Sequence, residues 1–539
     1  MRVRLLPFVA LALLVAVRPG AADDKKPVAP KKPTLVVRIS SFDSVLANLK
    51  YVAKLVGQEN QLAQVEGLLK SPIGKKVLTA IDSTRPIGVY GYLEAGLVDS
   101  SGAILLPVGD EAAFTETLKS FQLNPEKESD DVYKLEHPLV PFPVYYKFAN
   151  KYAYVTVREK EILANDKLLD PAKILAGDST LSAVINLDEI PKGLKETALS
   201  TFALQQSTIK ENEIAGETPE QKKFRIAVID ELFARSQQLV SEGGALSLSF
   251  NLDPKTGTLA AAASLSGQPD SKLASDIAGW AKVTSVAAGI LGSDAPVNFQ
   301  AHFELPASIK AALAPVIDEG VKKTIEMAKK EGQSEIAEPF MKALIPTAKM
   351  GVFDGGACLR GPDSSGHYTA IGALKLQDGK ALEQSLKTVL QDKKISKDLK
   401  ATVTFDVETV GDVHIHKLVP EKVDEKSKAL LGDEAIYYAV RDDAFIGVAG
   451  SGALDAMKAA ISASPAPGKL VRIDLAMSKL APIIAADRKM DPEKLKKAFK
   501  PGEDTIRISL EGGKVLKANA ELKLQLLKSF VAIDQSKIN

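Results

Sequence analysis

Two fourteen-residue stretches decide how this chain is read: VYYKFANKYAYVTV at 144–157 and IYYAVRDDAFIGVA at 436–449. Laid over each other without a gap, they align Tyr145-Tyr146 with Tyr437-Tyr438 and Asn150-Lys151 with Asp442-Asp443, 292 positions further on. In both, apolar residues run on either side of two polar ones, the pattern of a strand, a tight turn and a returning strand. A phrase written twice at this separation points to a duplicated building block.

The phrase belongs to a larger period. Four places show a short alternating strand that gives way to a helical stretch: LVVRISSFDSVLANL from Leu35, LSAVINLDEIPKGL from Leu181, VNFQAHFELPASIKAAL from Val297 and LVRIDLAMSKLAPII from Leu470. Ser40, Asn186, Glu304 and Asp474 take the equivalent place at the strand ends. Ser, Asn and Asp there are expected to accept from free helix N–H groups, whereas Glu304 is a poorer cap and Pro306 starts its helix instead. Each opening leads through a helical segment to two strands around a polar turn, at 87–108, 245–265, 349–376 and 505–524. Asp-Ser-Ser-Gly at 99–102 and 363–366, Asp253 to Gly257, and Glu511-Gly512-Gly513 are turn chemistry.

The reading is therefore α+β: duplicated units of mainly antiparallel sheet with helices packed on one face. At 539 residues, a prior of ~150 residues per domain suggests three or four units. The expected units are 34–174 (long), 175–291 (short), 296–463 (long) and 468–539 (short), with GSDAP at 292–296 and SPAPG at 464–468 as linkers. The long helical connections carry apolar stripes, through Val45, Leu46, Leu49, Val52 and Leu55 in the first and through Phe224, Ile226, Ile229, Leu232 and Phe233 near 219–240. Both are expected to pack on sheets, since their mixed charges do not form the basic face of a membrane-surface helix.

The first residues read as an export signal, 1–22. Met1-Arg2-Val3-Arg4 is a basic start, Leu5 to Val17 carries no charge, and Gly20-Ala21-Ala22 offers small residues for cleavage before Asp23. Arg18-Pro19-Gly20 stops the apolar run short of the ~20 residues a membrane span needs, so no integral span is expected after cleavage. Residues 23–33, DDKKPVAPKKP, form a Lys/Pro-rich linker. The expected location is periplasmic or extracellular. Together with the linker and the repeat, the signal resembles the broad class of exported bacterial proteins, without an assigned activity, that are built from repeated strand–helix–hairpin units. That resemblance carries over no functional residue.

Removing Arg2, Arg4 and Arg18 from 69 basic residues leaves 66 against 68 acidic ones. Nucleic-acid binding draws most of its affinity from a basic excess or stripe, and none is present. The single cysteine, Cys358, follows Gly355-Gly356-Ala357 in a strand and reads as a small buried residue, so no disulfide framework is available.

Motifs that carry chemistry are sparse. Ser207-x-x-Lys210 and Lys255-Thr256-Gly257 share vocabulary with penicillin-recognising serine enzymes, but no SDN-type triplet lies between them and the spacing is too short. His414-x-His416 puts two imidazoles on one strand face, yet a metal site needs further ligands that the sequence does not supply. Near those positions the first half has Tyr133 and Leu135. No phosphate-binding or nucleophile-elbow motif occurs. Tyr90, Tyr92, Tyr145, Tyr146, Tyr152 and Tyr154 hold more than half of the eleven tyrosines and are either a binding surface or ordinary strand residues. No catalytic, cofactor-binding or metal-ligating residue is assigned and no cofactor is expected.

Three functions remain. The first is a non-enzymatic binding or scaffold protein of the cell envelope with an unidentified protein or apolar small-molecule partner. The second is a carrier of a lipid or other apolar ligand, whose sheets would line a cavity with Leu, Val and Phe. The third is an enzyme with a dispersed site, which predicts a polar cluster in one half only.

Overall fold

The computed structural model describes residues 32–529 except 129, 138–139, 333, 393–394, 396–399, 433–434, 489 and 527–528. The expected signal at 1–22, and the 23–33 linker up to 31, lie outside the described residues. The chain folds as two compact units. One comprises the residues up to Thr201 with Gln238–Ala274; the other comprises Phe202–Gln237 with the chain from Ser275 onward.

In chain order the first half contains β1 (Leu35–Ile39), α1 (Phe42–Val56), α2 (Glu59–Lys70), α3 (Pro72–Ala80), β2 (Ile87–Tyr92), β3 (Ser101–Pro107) and α4 (Glu111–Ser120). Then come β4 (Glu126–Lys127), β5 (Val132–His137), β6 (Val140–Ala149), β7 (Tyr152–Val157), α5 (Pro171–Ile174) and β8 (Leu181–Asn186). The helical hairpin α6 (Lys192–Glu211) and α7 (Pro219–Glu242) is followed by β9 (Gly243–Asp253), β10 (Thr258–Gly267) and α8 (Lys272–Gly279). The second half continues with β11 (Val297–Glu304), α9 (Ala307–Lys330), α10 (Ser334–Met350), β12 (Val352–Arg360), β13 (Thr369–Lys375) and α11 (Gly379–Gln391). It ends with β14 (Ala401–Val410), β15 (Val413–Pro420), α12 (Glu425–Leu431), β16 (Ile436–Val440), β17 (Ala444–Gly450), α13 (Ala453–Ser462), β18 (Val471–Ala476), α14 (Met477–Arg488), α15 (Pro492–Ala498), β19 (Thr505–Glu511) and β20 (Leu516–Lys523).

The fold is α+β with antiparallel sheet. In the first unit the strands run β10-β9-β8-β1-β2-β3-β7-β6-β5-β4, each pair antiparallel. In the second they run β20-β19-β18-β11-β12-β13-β17-β16-β15-β14, again antiparallel throughout. Adding ten to each label turns one order into the other. The repeated phrase is β6–β7 in one and β16–β17 in the other. Their turns differ. Asn150 and Lys151 both adopt positive φ, 51° and 64°, as the two-residue type I′ hairpin requires. Asp442-Asp443 is instead closed by reciprocal backbone bonds between Arg441 and Ala444.

Each sheet has one sealed face. In the first unit Tyr90, Ala103, Leu105, Tyr145 and Tyr154 are buried beneath Ile162, Leu163 and Leu175. In the second, Ile371, Ala373, Ile446 and Val448 are buried beneath Ala453, Met457 and Ala460 of α13. The opposite faces are also apolar, because every second residue of these strands is aliphatic or Phe. They are covered only in part: by Ala80 of α3 and Phe114 of α4 in the first unit, and by α14–α15 at Leu475 and Ile506 in the second. Between such contacts the apolar face is half exposed, reaching 50% at Leu248 of β9 and 53% at Phe303 of β11. Among the described residues no helix is long and apolar enough to cross a membrane.

Two local expectations need correction. The helix caps are not the strand-end polar residues. Ser41, not Ser40, accepts from Ser44 N–H, while the Ser40 hydroxyl is buried without a partner. Asn186 donates to the Pro33 carbonyl, and Asp474 lies within β18 paired to Arg472. Asp504 accepts from the Ser478 amide in its place. An N-cap must sit one residue before the first helical turn, and these strands end at different distances from their helices. The apolar stripe of α1 is also not sealed against a sheet: its only fully buried residue is Asn48, and Leu49 is 51% exposed. Helix α7 has no buried residue at all.

Candidate apolar-ligand site

The half-open face of the first sheet holds a cavity of about 400 Å³. Its floor follows from register. Leu35 lies opposite Gly91 and Gly91 opposite Gly102, which makes one row across β1, β2 and β3. Val89, Ile104 and Val155 make the next row, across β2, β3 and β7. The first row is a notch, since neither glycine has a side chain to fill it, and the second row is a ridge of branched residues. Glycine is obligatory at 102, where a Cβ would come within 2.8 Å of the Tyr90 carbonyl oxygen. Ile185 and Ile190 form a wall.

The cavity is apolar apart from its rim. There the Arg158 guanidinium stands 4.7 Å from the centre of the Phe142 ring, on a residue with a left-handed φ of 69°. Beside it, burial pushes the Glu159 carboxyl above its ordinary range, and the nearby acids Glu161 and Asp99 add to the shift. A deep apolar slot with a few charged groups at one end suits a ligand with an apolar body.

The second unit contains a polar cluster with no counterpart in the first. His416 is fully buried. The Asp406 amide donates to its Nδ1 at 3.2 Å, so Nε2 carries the proton and donates to Glu383 at 3.1 Å. Lys387 bridges the two acids, 3.0 Å from Glu383 and 2.9 Å from Asp406. Burial is the main cause of a lowered His416 pKa, with the Lys387 charge second. Glu383, Asp406 and His416 place donor atoms within 4.8 Å of one another, close enough for a metal. Those donors are committed elsewhere: the carboxylates to the Lys387 ammonium, the imidazole to an amide on one side and a carboxylate on the other. With two carboxylates, one ammonium and a neutral imidazole, the cluster is an ion network whose polar atoms are engaged with one another.

Register also sharpens the correspondence with the first half. Tyr133 is opposite Tyr146 and His416 is opposite Tyr438, so His416 takes the place of Tyr133. Where the first unit stacks Tyr133 on Tyr146 at 5.0 Å, the second sets His416 against Tyr438 at 4.8 Å.

The other sequence candidates fall into ordinary roles. Tyr90, Tyr145, Tyr146, Tyr152 and Tyr154 are buried, which excludes them as a surface for partners. Cys358 is buried at the position equivalent to Tyr90. Ser207 donates to the Leu204 carbonyl within α6 and Lys210 pairs with Asp230. Lys255 to Gly257 form the β9–β10 turn, fastened by Asp253. His414 lies beside Thr409 at 3.3 Å. The cavity was missed because its floor is assembled across four strands. The available signal was a glycine near the facing ends of two alternating strands, Gly91 and Gly102, which marks a bulge or a close approach. No family model, curated protein or solved structure matches this chain.

Proposed function

We propose that this chain is an exported, non-enzymatic binding protein that carries an apolar ligand, with an alkyl chain seated in the Gly91–Gly102 notch of the first unit. The observation that carries the reading is the apolar sheet face, left half open over a cavity of about 400 Å³. Burying that face in protein would remove it from water at ~25 cal/mol per Å², and large open apolar patches mark interaction sites. The residues at 1–22 favour export. The polar atoms of the Glu383–Lys387–Asp406–His416 network are engaged with one another, which favours binding over the enzyme alternative.

The test uses the mature protein and cis-parinaric acid, whose fluorescence rises on entering an apolar site. Saturable binding at one molecule per chain is expected. Gly91→Leu should abolish it by filling the notch with the side chain that the second unit carries at the equivalent Leu359. Native mass spectrometry of protein purified from its host envelope then reports whether a lipid-sized mass is retained. An empty chain that ignores the probe would refute the carrier reading and favour a scaffold for a protein partner.

A further inference from the structure

We infer that the second unit holds a second ligand site, at the place equivalent to the first cavity, whose floor is shaped for a flat fused-ring apolar molecule rather than an alkyl chain. The inference rests on the proposal that the first cavity binds an apolar ligand. It goes further by assigning a second site and a different ligand class.

A cavity of about 400 Å³ lies on the half-open face of the second sheet. Its position is fixed by register. Val297 is opposite Leu359, Leu359 opposite Ala370 and Ala370 opposite Ala449, which reproduces the row begun by Leu35, Gly91 and Gly102. Ala357, Gly372 and Gly447 form the neighbouring row. They occupy the places of Val89, Ile104 and Val155. The two cavities therefore use the same positions of a duplicated sheet, but the branched ridge of the first has been removed from the second.

Both glycines have room for at least a Cβ. A Cβ on Gly372 would meet nothing nearer than the Gly356 carbonyl oxygen at 3.8 Å, and one on Gly447 nothing nearer than Phe445 at 3.7 Å. Neither residue has positive φ. Glycine inside a strand costs ~0.5–1 kcal/mol relative to alanine, so two adjacent ones where a Cβ would make only ordinary van der Waals contact point to a molecule that approaches the bare backbone. Apart from Leu359 at one corner, the stripped floor spans three strands and two alternating positions, roughly 10 Å by 7 Å. A single extended alkyl chain is roughly one strand spacing wide, ~4.8 Å, and would leave part of that floor uncovered; a fused-ring system covers it. The row continues from Gly447 to Tyr438 and on to His416.

The experiment titrates dehydroergosterol, a flat fluorescent sterol with one hydroxyl, and cis-parinaric acid into the mature wild-type chain, into Gly91→Leu and into the double variant Gly372→Ile/Gly447→Val. The double variant writes into the second unit the residues of the first, and thermal melting confirms that it is folded. The expected result is one sterol bound per chain, weakened about tenfold or more in the double variant, the equivalent of ~1.4 kcal/mol, with parinaric acid unaffected; Gly91→Leu should do the reverse. If the double variant melts non-cooperatively, Ala357→Val fills the same row and reads the same outcome. Sterol affinity unchanged in the filled variants, no sterol binding to the wild type, or loss of both probes together overturns the second site. Sterol loss in the filled variants together with parinaric binding that survives Gly91→Leu supports the second site and refutes the alkyl reading of the first.

Discussion

At the scale of single residues, the duplication shows what substitution has done to one scaffold. Position for position, Tyr133 has become His416, and an aromatic stack has become a network in which Glu383, Lys387, Asp406 and Phe405 face the imidazole. That change has a pH consequence. The folded His416 pKa is held below its ordinary value of 6.5, so between the two values the unfolded chain binds the extra proton. Its contribution to stability is complete above pH 6.5 and is lost as the pH falls below it. A single proton gives a slope of at most ~1.4 kcal/mol per pH unit. Urea denaturation between pH 7 and pH 5 should show the wild type weakening more steeply than His416→Phe, which keeps a ring against Tyr438 but cannot titrate. Parallel slopes would remove His416 from the account. The H-x-H pair was visible in the sequence. Its partners were not, because Glu383 on α11 and Asp406 on β14 reach it only through the fold.

At the scale of elements, alternation and turn chemistry were legible wherever a strand has one sealed face. All four hairpins and all four opening strands follow from period two alone. Caps and helix faces were less so. Asp504, which accepts from the first turn of α14, lies 26 residues from the amide it serves, and a stripe such as that of α1 says which side of a helix is apolar without saying whether anything covers it. The β6–β7 turn gives a direct test. Lys151 holds φ at 64°, where a side chain costs up to ~1 kcal/mol that glycine avoids. Lys151→Gly should raise the denaturation midpoint by that order. Asp443→Gly in the corresponding turn should lower it, because Asp443 accepts two 2.8 Å bonds from Arg441, whose guanidinium also donates to the Ala463 carbonyl at 2.6 Å.

At the scale of the molecule, duplication was legible because both copies keep the same order of strands, turns and helices and share the Tyr-Tyr pair at 145–146 and 437–438. The assignment of Phe202–Gln237 to the second unit was not, because it depends on tertiary packing. Within that unit Thr218 donates to Glu319 at 2.8 Å, Ser308 to Glu231 at 2.9 Å, and Arg235 pairs with Asp276 at 2.8 Å. A fragment starting at Ser275 lacks this segment. It should melt on the order of 10 °C below the second unit of the intact chain, and joining 202–237 to it by a flexible linker should recover most of the loss. Equal melting of the fragment with and without the segment would show that the hairpin contributes nothing to that unit.

The same segment imposes an order of events on biosynthesis. Helices α6 and α7 leave the ribosome well before the residues from 275 onward that complete their unit. At ~5–20 residues per second the remainder takes roughly 13–50 s to appear. For that interval the nascent chain displays an amphipathic hairpin before Asp276, Ser308 and Glu319 exist to pair with it, so a holding chaperone would meet this protein at one defined segment and at one stage of its synthesis.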